Sequence, residues 1–436
     1  MSKKILKELT ELVQAEVIDS PTADRIKTYY AENSESGQSR LLLVFSFLGA
    51  ALCGLGIILL LAHNWDNFAR PVKTFLAFLP LVIGQVVVGY VLLQQKGQRA
   101  WQEGAAVFLF LAIGASISLV SQVYNIPGKI SSFMLTWMLL GLPLMYLLRS
   151  SFASLFFIAG VTYYACEVNY FTYGENIHHW FWLLFAAGGY HYYQLLRDKP
   201  DSNFFNLHSW TYAISLIILL GTFIIRTEEY MVVAYMSLFG LYYIAGNSPL
   251  FGERSLAANP FKLLGMLGTG FMFIVGTFED VWIDFSQKKW LLMEDLAEPE
   301  IWVALVLTLV ALGSLIRTIG QKSLLKLQPI DYAFLIFAVL FVAGRFFPGT
   351  VTIISNILVL AAGIAIIRRG SLHNDLGTLN FGLLLISALI ISRFFDRDLS
   401  FLMRGIIFIA LGAGFFLANY QLLQRRKKAL KTEDHG

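Results

Sequence analysis

The chain is 436 residues long, 57% hydrophobic and 14% charged, with a formal net charge of +4. A water-soluble protein of this length needs far more charge to cover its surface, so the composition excludes a soluble globular domain. The positive excess is small and sits largely in short loops and a basic tail, which argues for anionic lipid as its partner and against a nucleic acid.

The first forty residues are charged and contain no apolar h-region, so no cleavable signal peptide is expected. They read as a cytosolic helical hairpin. Ile5, Leu6, Leu9, Leu12 and Val13 form one apolar stripe at helical spacing. Ser20 followed by Pro21 reads as an N-cap with proline at the first helical position, opening a second helix that carries Ile26, Tyr29 and Tyr30. Ser34 to Ser39 is a polar linker.

About fourteen apolar runs follow, near 41–63, 73–94, 102–123, 130–148, 151–168, 177–196 and 206–225, then 229–246, 260–278, 300–318, 328–346, 350–368, 374–395 and 399–423. Such runs are of the length a roughly 30 Å hydrocarbon layer asks of a helix. They are continuously apolar and do not alternate, so a β-barrel is excluded, and each run must be helical to satisfy its own amides in lipid. The fold class expected is all-α: a polytopic transmembrane helical bundle of about fourteen spans behind a short cytosolic hairpin. The expected organisation is a hairpin over 1–40, an N-terminal membrane module over 41–150 and central spans over 151–325. Duplicated hairpins over 326–424 and a basic tail over 425–436 complete it.

Of the 33 Lys and Arg residues, 23 fall on the side of the termini and ten on the other. That bias places both termini in the cytoplasm of a multi-pass inner-membrane protein. Cys53 and Cys166 both fall inside spans and make neither a disulfide framework nor a metal site. Glu175, His178 and His179 have ligand chemistry, but no spacing supports a closed zinc set, and neither a metal nor any other cofactor is expected.

Charge is almost absent from the central thirds of the spans, where Gln85, Asn356 and Asn380 are the notable polar residues. Amides at that depth are inter-helix hydrogen-bond partners, and the missing carboxylates argue against a proton relay. Polar residues gather instead at the outer turns. The first carries His63, Asn64, Trp65 and Asp66, and the second Gln122, Tyr124 and Asn125. Two later turns repeat Arg-Phe-Phe, at Arg345 and at Arg393, the latter followed by Asp396. Gly363 and Gly412 trail these arginines by 18 and 19 residues, and Arg368-Arg369 and Arg425-Arg426 close the two hairpins, a pattern that suggests duplication. The candidate substrate-binding set is therefore His63, Asn64, Asp66, Gln122, Tyr124, Asn125, Arg345, Arg393 and Asp396. Each part also has a structural reading: Trp65 and Trp282 as interfacial belt aromatics, the arginines as snorkelling anchors, Gly265, Gly268 and Gly270 as close-packing positions.

The glycine-rich first span (Gly49, Gly54, Gly56), the turn Ala62-His63-Asn64-Trp65-Asp66 and the later turn Gln122-Val123-Tyr124-Asn125 together carry a resemblance. Over roughly residues 1–150 the chain resembles a family of bacterial predicted membrane proteins whose N-terminal module is a domain of unknown function. The hairpin departs from that pattern, with Ala15-Glu16-Val17 where a glycine is expected in the turn. The resemblance implies no activity, substrate or catalytic residue. It does imply a partner, because such proteins are often encoded beside a second small membrane protein.

No motif specifies a reaction, and whether the chain is an enzyme stays open. Three functions are expected in this order. The first is a transporter or flippase-like protein for a small or lipid-like substrate, favoured by many spans and short loops. The second is a scaffold or sensor subunit of an envelope complex, contacting the cytosol through the hairpin. The third is a membrane-embedded enzyme acting on an envelope lipid or glycan, drawing on outer-turn groups such as Asp66, Glu167, Asp280, Arg345 and Arg393.

Overall fold

A computed structural model describes residues 65–95, 98–170, 179–224, 227–288, 298–321, 328–372 and 376–394, with shorter stretches inside 12–28 and 400–416. The described residues are helical, without strands. Their helices are α1 (Arg70–Gln94), α2 (Arg99–Tyr124), α3 (Ile130–Leu147), α4 (Ser151–Asn169), α5 (Phe181–Asp198) and α6 (Asn203–Leu220). There follow α7 (Glu228–Gly246), α8 (Pro260–Val275), α9 (Glu279–Gln287), α10 (Pro299–Gln321), α11 (Ala333–Gly344), α12 (Pro348–Leu372) and α13 (Leu376–Phe394). Among the described residues eight helices are long and apolar enough to cross a membrane. The bundle is thus all-α and polytopic, and the expected spans at 41–63 and over most of 399–423 lie outside the described residues.

Four expected spans take a different form; one of them, 229–246, is the 19-residue α7, whose two glutamates and four tyrosines keep it out of the eight. The run at 260–278 is the first arm of a bent pair, α8 and α9, which turn by 76° at Gly276–Phe278. The run at 328–346 begins as a 3-10 turn, Pro329–Tyr332, and leaves only twelve α-helical residues in α11. α5 has the length to span but breaks its apolar character with Tyr190, His191, Tyr192, Tyr193 and Gln194. In the N-terminal hairpin the second helix starts one residue earlier than expected: the Asp19 carbonyl accepts the Thr22 and Ala23 N–H groups, so Asp19 and not Ser20 stands at the cap.

The chain divides into two compact units, one of Met1–Pro80 with Leu119–Ile126, the other of Leu81–Ser118 with Pro127–Gly436. In the second unit α7 is the hub, packed by α8, α10 and α11, while α12 pairs closely with α13 and α3 with α4. Small residues make these approaches possible, as membrane packing without a solvent-driven hydrophobic effect requires. A Cβ on Gly265 would sit 2.6 Å from the Tyr243 nitrogen, and one on Gly268 would enter the Phe239 ring, so both glycines seat α8 on α7. Gly363 and Gly382 do the same where α12 crosses α13. Gly412, the counterpart of Gly363 in the expected repeat, has no neighbour within 4 Å of its Cβ position among the described residues.

Helix starts are capped where the sequence offers a side chain. Ser150 accepts the Ala153 N–H at the head of α4, Ser202 the Phe205 N–H at α6, and Asn259 the Lys262 N–H at α8. Asn259 is wholly buried, and its amide also donates to the carbonyls of Gly246 and Phe251, tying the α7–α8 connection shut.

Candidate functional site

In the first unit Asp66 lies in a 3-10 turn, Trp65–Asn67, and is exposed. Lys73 stands over the Trp65 ring at 5.9 Å. Gln122, Tyr124 and Asn125 end α2 and are exposed as well. Tyr124 reaches across to α1, its hydroxyl 3.0 Å from the Thr74 hydroxyl. The end of α2 is a Schellman turn: Ile126 N–H donates to the Ser121 carbonyl at 2.9 Å, Asn125 N–H to Gln122, and Asn125 takes φ 48°. Asparagine suits that left-handed position better than most residues, which gives Asn125 a structural job of its own. His63, Asn64 and Asp396 of the candidate set lie outside the described residues.

In the second unit Arg345 and Arg393 both bond the bent pair α8–α9, at different points: Arg393 at the elbow and Arg345 in the last turn of α9. Arg345 donates to the Phe285 carbonyl, and Arg393 donates to the Thr277 hydroxyl at 3.2 Å while lying 4.5 Å from the centre of the Phe278 ring. Breaking a helix inside a membrane frees backbone carbonyls that lipid cannot satisfy. Here Trp282 Nε1 donates to the Gly276 carbonyl at 2.6 Å, and Asn356 Nδ2 to the Thr277 carbonyl at 3.0 Å. Trp282 is fully buried and fills the space beside Gly344, so it is not a belt aromatic: the elbow needs its indole N–H inside. Of the amides at depth, Asn356 serves the elbow, whereas Gln85 and Asn380 are exposed on apolar helices.

Beyond the elbow, Lys288 binds Glu228 at 2.8 Å, with Glu229 at 3.6 Å and Asp284 at 3.7 Å. The hydrogen bond to Glu228 pushes the Lys288 ammonium above the ordinary lysine value, against the opposing effect of its partial burial. Nearby, Glu300 is wholly buried at the head of α10 and accepts the Thr227 N–H.

The opposite ends of these helices enclose space. An apolar slot of about 290 Å³ runs between α8, α11, α12 and α13, walled by Thr269, Phe273, Ile336, Leu358, Ala362 and Phe381 among others. A second cavity of about 360 Å³ adjoins it, sharing Pro329, Ile330, Ala365, Ile366 and Phe381, and carries the polar residues Tyr243, Lys262, Gln328, Arg369 and Thr378. Lys262 and Arg369 enter the sequence reading only as loop charges. The signal that points to them is the small-residue run Ala361-Ala362-Gly363-Ile364-Ala365 in α12, which leaves room beside a helix ending in arginine.

A second polar centre escapes the sequence reading altogether. Glu103 of α2 accepts the backbone N–H groups of Ser151 at 2.9 Å and Phe152 at 3.1 Å, together with the Ser150 hydroxyl. The carboxylate thus occupies the positive end of α4. Ser151 continues the chain to the buried His191 at 3.3 Å, and His208 Nδ1 donates to the Phe204 carbonyl at 2.7 Å. Nothing in the spacing of residues 103, 151, 191 and 208 links them before the helices pack.

Comparison with curated proteins and with solved structures returns no significant match. Residues 10–154 match the model of a family described as a predicted membrane protein, DUF2157, so the resemblance read from the Trp65-Asp66 and Gln122–Asn125 turns is to a membrane protein family of unknown function.

Proposed function

We propose that the chain is a carrier or flippase-like protein for a lipid-like amphiphile, residing in a bacterial inner membrane with both termini in the cytoplasm. One observation carries this reading: an apolar slot and a polar cavity that share five residues lie end to end along α12, the slot opening on the bundle surface at the exposed Ala361 and Ala365. From Arg369 to Leu358 the cavity follows α12 for eleven residues, about 16 Å at the α-helical rise, or roughly half a hydrocarbon layer. Past that depth lies the elbow, with Trp282 and Asn356 on its carbonyls and Arg393 on the Thr277 hydroxyl. A cavity about half a hydrocarbon layer long beside a broken helix fits the arrangement alternating access uses.

The test is lipid translocation in reconstituted vesicles, read as bleaching of fluorescent lipid analogues by a membrane-impermeant reductant. Vesicles with the protein should bleach beyond the outer-leaflet fraction within minutes, and Ala362→Phe, which fills the slot, should return them to the protein-free rate. Identical rates with and without protein, across zwitterionic and anionic analogues, would sink the carrier reading.

A scaffold or sensor function is favoured by a separate observation, the exposed amides Gln85 and Asn380 on otherwise apolar helices. Amides facing hydrocarbon are best satisfied by a neighbouring helix, which fits a second small membrane protein as partner.

A further inference from the structure

The slot and its polar mouth differ in chemistry, and the difference selects a ligand. The slot is lined by aliphatic and aromatic side chains, with the Thr269 hydroxyl as a polar exception. Thr269 is 4% exposed, and its hydroxyl makes no hydrogen bond among the described residues. The mouth holds two cations, Lys262 and Arg369, and the hydroxyl or amide groups of Tyr243, Gln328 and Thr378. Lys262 sits in the first turn of α8 and Thr378 in the first turn of α13, while Tyr243 and Arg369 sit in the last turns of α7 and α12, so helix ends of both signs meet here and the positive field comes from the two side chains. Gln328 is held in place by the Tyr243 hydroxyl at 2.6 Å. The nearby carboxylate of Asp331 is turned onto the Gln328 backbone N–H at 2.7 Å and is itself 7% exposed.

We propose that this pair of cavities is a binding site for one anionic phospholipid, its phosphate between Lys262 and Arg369 and one acyl chain in the slot beside Thr269. The inference rests on the carrier reading only in naming the amphiphile that the same cavity takes; binding and translocation are separable. Charge complementarity sets the headgroup, since two cationic side chains line a space in which a zwitterionic head would leave a cation against cations. The apolar slot sets the tail. A free phosphate would use the mouth and leave the slot empty, so the two sources of the same chemistry give different results.

Native mass spectrometry of the full chain in a gentle detergent, titrated separately with phosphatidylglycerol and phosphatidylcholine, decides between them. The expected result is retained phosphatidylglycerol, bound roughly tenfold tighter than phosphatidylcholine, because both lipids bring the same phosphate and only phosphatidylcholine sets a second cation beside Lys262 and Arg369. Lys262→Gln with Arg369→Gln should abolish that preference, Lys262→Arg should keep it, and Ala362→Phe should lower binding of both lipids. Melting temperatures within a few degrees of the parent show that the variants fold, and Lys262→Arg guards against a merely structural loss. Equal affinity for the two lipids, or phosphatidylglycerol binding unchanged by Ala362→Phe, overturns the proposal. So does displacement of the lipid by millimolar inorganic phosphate. Preferential binding without translocation would leave this site standing and remove the carrier function.

Discussion

At the scale of single residues, two non-glycine positions take a left-handed backbone, Asn125 at φ 48° and Arg149 at φ 49°. Both close a helix in the same way, with the following residue donating back to the carbonyl five positions earlier. The left-handed region costs an ordinary residue about 1–2 kcal/mol, which asparagine partly avoids and glycine escapes. This separates two roles for Asn125 that the sequence alone leaves superposed. If its job is to cap α2, Asn125→Ala should lower stability by about 1 kcal/mol, while Asn125→Gly should unfold at the parent temperature or above it. Both variants should then translocate lipid as the parent does. If its amide binds a ligand, glycine should be as inactive as alanine while remaining the more stable of the two. Thermal unfolding in detergent together with the vesicle assay reads both quantities. Trp282 teaches the same lesson from the other direction: its composition suits a membrane interface, yet a freed carbonyl six residues earlier draws it inside.

At the scale of elements, the sequence makes helices legible and their interruptions much less so. Apolar run length identifies α1 to α4, α6, α10, α12 and α13, because lipid leaves the backbone no alternative to helix. It does not separate a straight span from α8 and α9, since Val275, Gly276, Thr277 and Phe278 are as apolar as a continuous helix would be. The elbow becomes intelligible only with its donors, which come from α9 and from α12, 79 residues beyond Thr277. Arg345 and Arg393 were readable as a matched pair of outer turns, and both bond the bent pair, Arg393 at the elbow and Arg345 in the last turn of α9. What they meet there could not be read, because the partner groups are backbone carbonyls and a threonine hydroxyl. The elbow makes a definite demand on stability. Removing one donor leaves a buried carbonyl unsatisfied, at about 1–3 kcal/mol. Trp282→Phe and Asn356→Leu should therefore each lower the unfolding temperature clearly, whereas Gln85→Leu and Asn380→Leu, on exposed surfaces, should leave it unchanged or raise it. Equal behaviour of all four variants in a detergent melt would show that the elbow does not depend on these two donors.

At the scale of the whole second unit, contacts sort the helix ends into two sets without reference to any membrane. Arg254 meets Pro200 and Asp201, Gly246 lies against Lys262, and Gly370 lies against Leu379, so the segments near 200, 250, 262, 328 and 370 share one end. Glu228 with Lys288, Thr227 with Glu300, Arg345 with Phe285 and Arg393 with Thr277 define the other. Among the described residues the first end carries Arg197, Lys199, Arg254, Lys262, Arg368 and Arg369 against Lys288, Arg345 and Arg393 at the second, where Lys288 also stands among Glu228, Glu229 and Asp284. Lysine and arginine are retained on the cytoplasmic side during insertion, so the cation-rich end, and with it the mouth of the lipid site, should face the cytoplasm. Single cysteines test this directly in a background where Cys53 and Cys166 are serine. Asp201 and Glu228 are suitable sites because their side chains are 96% and 66% exposed and neither lines the cavity. On intact cells a membrane-impermeant thiol reagent should modify Glu228→Cys and spare Asp201→Cys until the membrane is permeabilised. The reverse order would turn the molecule over and hand the phosphate-binding mouth to the outer leaflet. Labelling of both sites from outside would break the assignment of these ends to opposite faces, and the inward-open cavity with it.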